Sequence, residues 1–234
     1  MFHTTFFIVC LLKMQLDLTE HYLKDLTLLV DYGNGPRQKV YNINYWKCIK
    51  PFSKTGSFID LDQALLTKKV WLISDLHLGH KNIIKYSERP YASVNEMNET
   101  LVRNIQSVAG ADDIIVFGGD IAFMETEKAN SLIARCLGYK ILIIGNHDFN
   151  KGKLRDLDFD EIHLCKSVTY KGKEYALTHY PLDEMPDGLI NIHGHTHNRN
   201  TGHPRHINIS CEVINYTPIT FQDLIGEFDG KANV

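Results

Sequence analysis

From Val70 onward, short unbroken apolar runs alternate with stretches in which apolar residues return every three or four positions. Runs of the first kind read as buried strands, and the second spacing marks helices with one face laid on a sheet. Val70-Trp71-Leu72-Ile73, Ile114-Ile115-Val116-Phe117 and Ile141-Leu142-Ile143-Ile144 are strands by this rule. Val94, Met97, Leu101, Ile105 and Val108 mark a helix, opened by the capping-box pattern Ser93-Val94-Asn95-Glu96. A second helix is expected over about Thr126 to Leu137, with Ala129, Leu132, Ile133, Cys136 and Leu137 on its apolar face and Gly138 as its stop. Strand, helix, strand, helix, strand predicts an α/β sheet with right-handed crossovers.

After Asp148 the pattern turns to strands. Ile162 to Tyr170 and Glu174 to His179, around Lys171-Gly172-Lys173, predict a hairpin, with further strands at Leu189 to His193 and His206 to Ser210. Residues 1–69 differ in texture. They predict a short helix near Leu18 to Leu26, a hairpin whose arms flank Gly33-Asn34-Gly35-Pro36, and a short helix from Asp60 to Leu66. Because no chemical motif falls there, 1–69 is expected to be a β-rich extension that packs or meets a partner, ahead of a main domain over 70–234. The run Phe6 to Leu12 lacks the basic flank and cleavage site of a signal peptide, and reads as a strand or as residues ahead of a start at Met14.

Composition narrows the classes. With 234 residues, 44% hydrophobic and 23% charged, the chain has ordinary globular make-up and can bury a full core. A formal net charge of -3 excludes gripping nucleic acid by overall charge, so any phosphate-seeking charge must be concentrated at a site. Cys10, Cys48, Cys136, Cys165 and Cys211 form no C-x-x-C pair and read as reduced thiols of a cytoplasmic protein. No stretch reaches the roughly 20 apolar residues of a membrane helix.

The chemistry lies where the strands end. Val70–Ile73 runs into Ser74-Asp75-Leu76-His77, Ile114–Phe117 into Gly118-Gly119-Asp120, and Ile141–Ile144 into Gly145-Asn146-His147-Asp148. Tyr175-Ala176-Leu177-Thr178 runs into His179, and Leu189–Ile192 into His193-Gly194-His195-Thr196-His197. Sites in open α/β sheets lie beyond the carboxyl ends of strands. Asp75, His77, Asp120, Asn146, His179, His195 and His197 are too many ligands for one ion and suit two ions sharing a bridge. A carboxylate can give one oxygen to each, and Asp120, central in the order, is the expected bridge. Oxygen and nitrogen ligands without thiolate favour Mn, Fe, Zn, Co or Ni over Ca or Mg. A pair of such ions acidifies a shared water and clamps phosphoryl oxygens for in-line displacement, so no serine or cysteine nucleophile is needed.

These motifs, in this order, resemble the five motifs of the calcineurin-like metallophosphoesterase superfamily over roughly Val70 to the C-terminus. The resemblance implies a four-layer α/β/β/α sandwich. It puts Asp75, His77, Asp120 and His197 on one metal and Asp120, Asn146, His179 and His195 on the other, in agreement with the ligand count. His147 is similar to the histidine that contacts the scissile phosphate and helps the leaving group depart, with Asp148 orienting its ring. His80-Lys81-Asn82-Ile83-Ile84, Arg89-Pro90-Tyr91 and Glu96-Met97-Asn98 resemble the small phage and bacterial members. One departure is that Ile121-Ala122-Phe123-Met124 follows Asp120, where many members carry another acid.

The implied activity is metal-dependent hydrolysis of a phosphomonoester or phosphodiester. His80 and Arg89 are candidate substrate contacts, although a helix start and a salt bridge explain them equally well. His193 and His206 are expected behind the ligands or in structural roles. Two alternatives stand beside the phosphoesterase. A nuclease for single-stranded nucleic acid would need Lys81, Lys85, Arg89, Lys151, Lys153, Arg155, Arg199 and Arg205 to line a groove. A non-catalytic scaffold binding a protein partner would be expected to have lost ligands, and all are present.

Overall fold

The computed structural model describes residues 27–30, 38–42, 51–148 and 156–232. The chain divides into two compact units, 1–51 with 182–187, and 52–181 with 188–234. In the first, β1 (Thr27–Val30) and β2 (Gln38–Asn42) pair antiparallel, with a register shift between Leu28 and Leu29. The two extended runs expected to form a hairpin are thus paired. The helix expected near Leu18 to Leu26 and the run Phe6 to Leu12 lie outside the described residues.

The second unit runs β3 (Phe52–Ser53), α1 (Leu61–Thr67), β4 (Val70–Ile73), α2 (Lys81–Tyr86), α3 (Val94–Val108), β5 (Ile114–Phe117), α4 (Thr126–Ile133) and β6 (Tyr139–Ile143). It continues with β7 (Glu161–His163), β8 (Cys165–Tyr170), β9 (Lys173–Thr178), β10 (Ile190–His193), β11 (His206–Asn208), β12 (Ile219–Thr220) and α5 (Phe221–Ala232). One sheet has the order β12-β4-β5-β6-β7-β3, with β4 to β7 parallel and a two-residue antiparallel strand closing each edge. Such short edges leave little free ladder for another chain to join. The other sheet has the order β11-β10-β9-β8.

Strand alternation explains how the sheets pack. Val70, Leu72, Val116 and Ile141 on the first sheet share one core with Val168, Tyr175, Leu177 and Ile192 on the second. Leu61 and Leu65 of α1 and Phe221 and Leu224 of α5 complete it. One position along each strand points to the opposite face, and there Ile73, Ile115 and Phe117 are buried together with Met97, Leu101 and Ile105 of α3 and Ala129 and Ile133 of α4. The α/β sandwich expected from the sequence is formed, with residues 52–67 packed on it through the β3–β7 pair and α1.

Three local outcomes differ from expectation. Ile162 to Tyr170 is not one strand: β7 joins the first sheet and β8 the second, so the chain changes sheet at Leu164. The helix from Thr126 ends at Ile133 because the amides of Arg135 and Cys136 bond three residues back, to Leu132 and Ile133, tightening the last turn. In the capping box, Ser93 Oγ accepts the Glu96 N–H as expected, but the Glu96 carboxylate accepts from Ala92, one residue before the cap. Beyond Ser210, β12 and α5 are elements the apolar pattern did not announce.

Candidate metal centre

Ligands on two sheets meet because the sheets are stitched together at their carboxyl ends. The Ser74 N–H donates to the Ile209 carbonyl and the Cys211 N–H to the Ser74 carbonyl, both at 2.9 Å, so the chain leaving β11 crosses to pair with the continuation of β4. The loops after β4 and β5 also run side by side, with the N–H groups of Asp75, His77 and Leu78 each 2.9 Å from the carbonyls of Gly119, Asp120 and Ile121. The Gly194 N–H, 3.0 Å from the His179 carbonyl, ties the loop after β10 to that after β9.

The turns are sharp enough to need unusual backbone. Asp75, His77, Asp120, His195 and His197 have φ of 60°, 50°, 55°, 66° and 51°, in the left-handed region that costs on the order of 1–3 kcal/mol for such residues. Neighbouring glycines make room. A Cβ on Gly194 would fall on Ser74 Oγ and Asp75 Oδ2, and one on Gly145 would fall on Asp120 Oδ1.

Two ligand clusters result, Asp75 with His77 and His197, and Asp120 with His179 and His195. Asp120 Oδ2 lies between them, 3.5 Å from His77 Nε2 and 3.4 Å from His179 Nε2. Asn146 Oδ1 sits in the second cluster, 3.1 Å from both His179 Nε2 and His195 Nδ1. All seven residues expected as ligands are therefore brought together.

The donor set fits cations. His77 is 2% exposed, yet neither ring nitrogen has a hydrogen-bond partner, an omission buried polar groups rarely show. Burial holds its pKa well below the usual value, leaving the neutral ring that binds metals. Burial, then the charge of His179, pulls His195 down to about 3. For His179 burial acts in the same direction but the Asp120 carboxylate prevails, holding it up at about 10. Burial raises Asp75 above the ordinary carboxylate range, and the nearby Asp120 adds to the rise. Positive charge between these groups would relieve the Asp75 carboxylate.

The structure places the remaining candidates unequally. The side chain of His147 is 32% exposed with Nε2 3.9 Å from Asp120 Oδ2, and its N–H is anchored to Asp120 Oδ1 at 2.8 Å. His80 lies beside it, ring centroids 6.5 Å apart. Asp148 does not orient the His147 ring. Its carboxylate accepts the N–H groups of Asp120, Ile121 and Gly145 at 2.9, 2.9 and 2.7 Å, fastening the β5 and β6 loops to each other. Arg89 is not at an open face. Its buried guanidinium donates to the carbonyls of Asp75 at 2.6 Å and Leu76 at 2.8 Å and to Glu212, so the salt-bridge reading describes it. His193 is buried, with Nδ1 2.8 Å from the Gly194 carbonyl and its ring 5.2 Å from that of His206.

Glu212 went unnoticed in the sequence. Its Oε1 accepts from His197 Nδ1 at 2.9 Å and from Arg89 Nε and Nη2 at 2.9 and 2.8 Å, which turns the other imidazole nitrogen of His197 toward Asp75 and His77. Burial opposes its charge, but His197 and Arg89 hold its pKa down at about 2. The signal was available: Ile207 and Ile209 lead to a carboxylate, the grammar of the other strand ends.

Comparisons with known proteins identify the family. Residues 68–226 match the family described as calcineurin-like phosphoesterase. An uncharacterized protein of Methanocaldococcus jannaschii is 37% identical over 179 residues, covering 71% of this chain and 94% of that protein. The Gene 66 protein of Mycobacterium phage L5 is 30% identical over 159 residues, covering 54% of this chain and 76% of its own. A crystal structure of a protein of unknown function from Aquifex aeolicus aligns with TM-score 0.58 and 26% identity, over 68% of this chain and 99% of its own.

Proposed function

Because the chain belongs to the calcineurin-like phosphoesterases, we propose that it hydrolyses a phosphomonoester or phosphodiester with two divalent cations held at the strand ends. The observation that carries this reading is the position of Asp120 Oδ2, 3.5 and 3.4 Å from imidazole nitrogens of two different ligand clusters. Asp75, His77, Asp120 and His197 would hold one ion, and Asp120, Asn146, His179 and His195 the other. Such a pair, when bound, supplies nucleophilic water near neutral pH and neutralises phosphoryl charge.

The chain's own residues do the rest. Asp148 and the glycines keep the ligand loops in register, and Glu212 with Arg89 aims His197. His147 presents an accessible imidazole beside Asp120, where it can stabilise or protonate a leaving oxygen. The buried Cys211 and Cys136 are poorly suited to act as nucleophiles, since burial pushes the Cys211 thiol well above its usual range and Cys136 up to about 11.

The ligand set accommodates Mn, Fe, Zn, Co or Ni. Of the basic residues that a nuclease groove would need, Arg89 is buried and takes no part in an open groove, and Lys151, Lys153 and Arg155 lie outside the described residues. No helix among the described residues is long and apolar enough to cross a membrane. We place the working boundary of the phosphoesterase unit near Phe52, since β3 and α1 pack on its sheets.

The test is metal content together with hydrolysis. Protein reconstituted with Mn²⁺ should bind two ions per chain and act on a panel of phosphomonoesters and of linear and 2′,3′-cyclic diesters. Asp120→Ala should lose both ions and the activity. One ion per chain at saturation with full activity would overturn the dinuclear reading.

A further inference from the structure

Beside His147 stands a group of aromatic side chains that the proposed reaction leaves unused. His80 and Phe123 are stacked, with ring centroids 4.5 Å apart and planes at 20°. Phe123 also meets the His147 ring edge-on at 5.2 Å, and Tyr86 stands edge-on to His80 at 6.3 Å. These rings are not shed into the core: Phe123 is 45% and Tyr86 71% exposed.

The shelf is held by backbone. The Phe123 N–H donates to the Leu78 carbonyl at 2.7 Å, next to a parallel bridge between Leu78 and Ala122. Met124 packs so closely over Gly79 that an added Cβ there would lie 2.6 Å from its methyl carbon. Phe123 therefore keeps its place relative to His80 and His147. It also falls in Ile121-Ala122-Phe123-Met124, the segment that directly follows Asp120.

A large ring left half-open, stacked on one side and fixed one ring away from the residue serving the leaving oxygen, is the arrangement used to bind a flat aromatic group. Stacking on such a ring is tolerant of the partner's identity, and removing the ring by alanine substitution weakens binding by about 5- to 150-fold. We propose that the His80–Phe123 shelf selects phosphate esters bearing a flat aromatic group on the leaving side, an aryl ester or a nucleotide. This inference rests on the phosphoesterase reading for the position of the phosphate but makes a separate claim about what the phosphate carries.

Binding separates the two claims. Calorimetric titration of the Mn²⁺-loaded protein with ethylphosphonate, benzylphosphonate and a non-hydrolysable adenosine phosphonate should show a ring-bearing ligand binding about tenfold tighter than the ethyl compound. Benzyl against adenosine then tells whether the ring sits next to the phosphate or one sugar away. Phe123→Ala should erase that advantage while keeping the wild-type metal content, and Phe123→Trp should preserve it. Equal affinity for all three ligands, or an advantage that survives Phe123→Ala, would overturn the proposal. If the ring preference is found but no matching ester is hydrolysed, the shelf stands and the phosphoesterase reading fails. If alkyl and aromatic esters are hydrolysed with equal KM in wild type and Phe123→Ala, the reverse holds.

Discussion

The six-stranded sheet buries charge at both ends, and the two ends do so differently. Glu161 opens β7, and its side chain is 0% exposed. Its carboxylate accepts from the Ile59 N–H, from Tyr139 Oη at 3.0 Å and from Lys166 Nζ at 3.2 Å, and pairs with His163 Nε2 at 2.6 Å. Every buried oxygen there has partners within the chain, and they join β6, β7, β8 and the segment ahead of α1. At the carboxyl ends of β4, β5 and β10, the His77 ring has no hydrogen-bond partner, five ligands sit in left-handed backbone, and the Asp75 and Asp120 carboxylates repel one another. A buried charge with all its partners present holds a fold together. One left short of partners, on strained backbone, marks a place where something else completes the set.

His147→Gln tests the chemical end most severely. Metal content should stay near wild type while kcat falls, by roughly 10²–10⁴ for an alkyl ester if the imidazole acts as general acid. For a nitrophenyl ester, whose leaving group needs little help, the loss should be smaller. Equal losses on both would show that His147 stabilises phosphoryl charge instead, and loss of metal would make it part of the scaffold.

At the structural end, Glu161→Gln should lower stability by roughly 3–5 kcal/mol, because it strands Lys166 and His163 beside an uncharged amide. Two Mn²⁺ per folded chain should remain. The sign with pH follows from the carboxylate. Burial opposes its charge, but His163, the Ile59 amide and Lys166 hold its pKa at about 2 against an ordinary 4.5. Its contribution is therefore complete above about 4.5 and lost as the pH falls toward 2. Denaturant titrations of wild type and variant should converge across that window, and a constant gap would show that the pair does not carry the difference.

The two ends also differed in how far sequence revealed them. The ligands were legible because each follows an apolar run directly, so a local pattern carried both the strand and its terminal chemistry. Glu212 follows such a run too, but its meaning depends on the chain crossing from β11 to β4, a pairing between residues far apart in sequence. Arg89 was ambiguous for the same reason, since its partners Asp75 and Glu212 arrive from distant segments. Adjacency misled for Asp148, which stands next to His147 but turns its carboxylate to backbone amides. The Glu161 network, drawn from four separate segments, left no local trace.

Glu212→Gln lies between the two kinds of site, since the residue is fully bonded yet serves a ligand. Loss of its charge should weaken Mn²⁺ binding by about 10- to 100-fold. Glu212→Asp, which keeps the charge but shortens the reach, should recover part of that. Calorimetric titration of the metal-free protein measures it directly. An unchanged affinity accompanied by a lowered melting temperature would class Glu212 with Glu161.

The smallest effect sharpens the comparison most. If His77 has no role in holding the fold, replacing it by a residue of similar size that needs no hydrogen bond should leave the metal-free protein within about 1 kcal/mol of wild type, although the position is buried. His77→Leu removes two unsatisfied nitrogens and adds apolar surface, while the φ of 50° remains a modest cost to either residue. Metal should then separate the proteins. At a free Mn²⁺ concentration about a hundred times the dissociation constant, wild type should gain about 2.7 kcal/mol for each independent ion, and the variant should gain less. Thermal melts with and without Mn²⁺ decide the matter. A fall of several kcal/mol for metal-free His77→Leu would mean that the imidazole already has a structural partner, and the contrast between the two ends of the sheet would collapse.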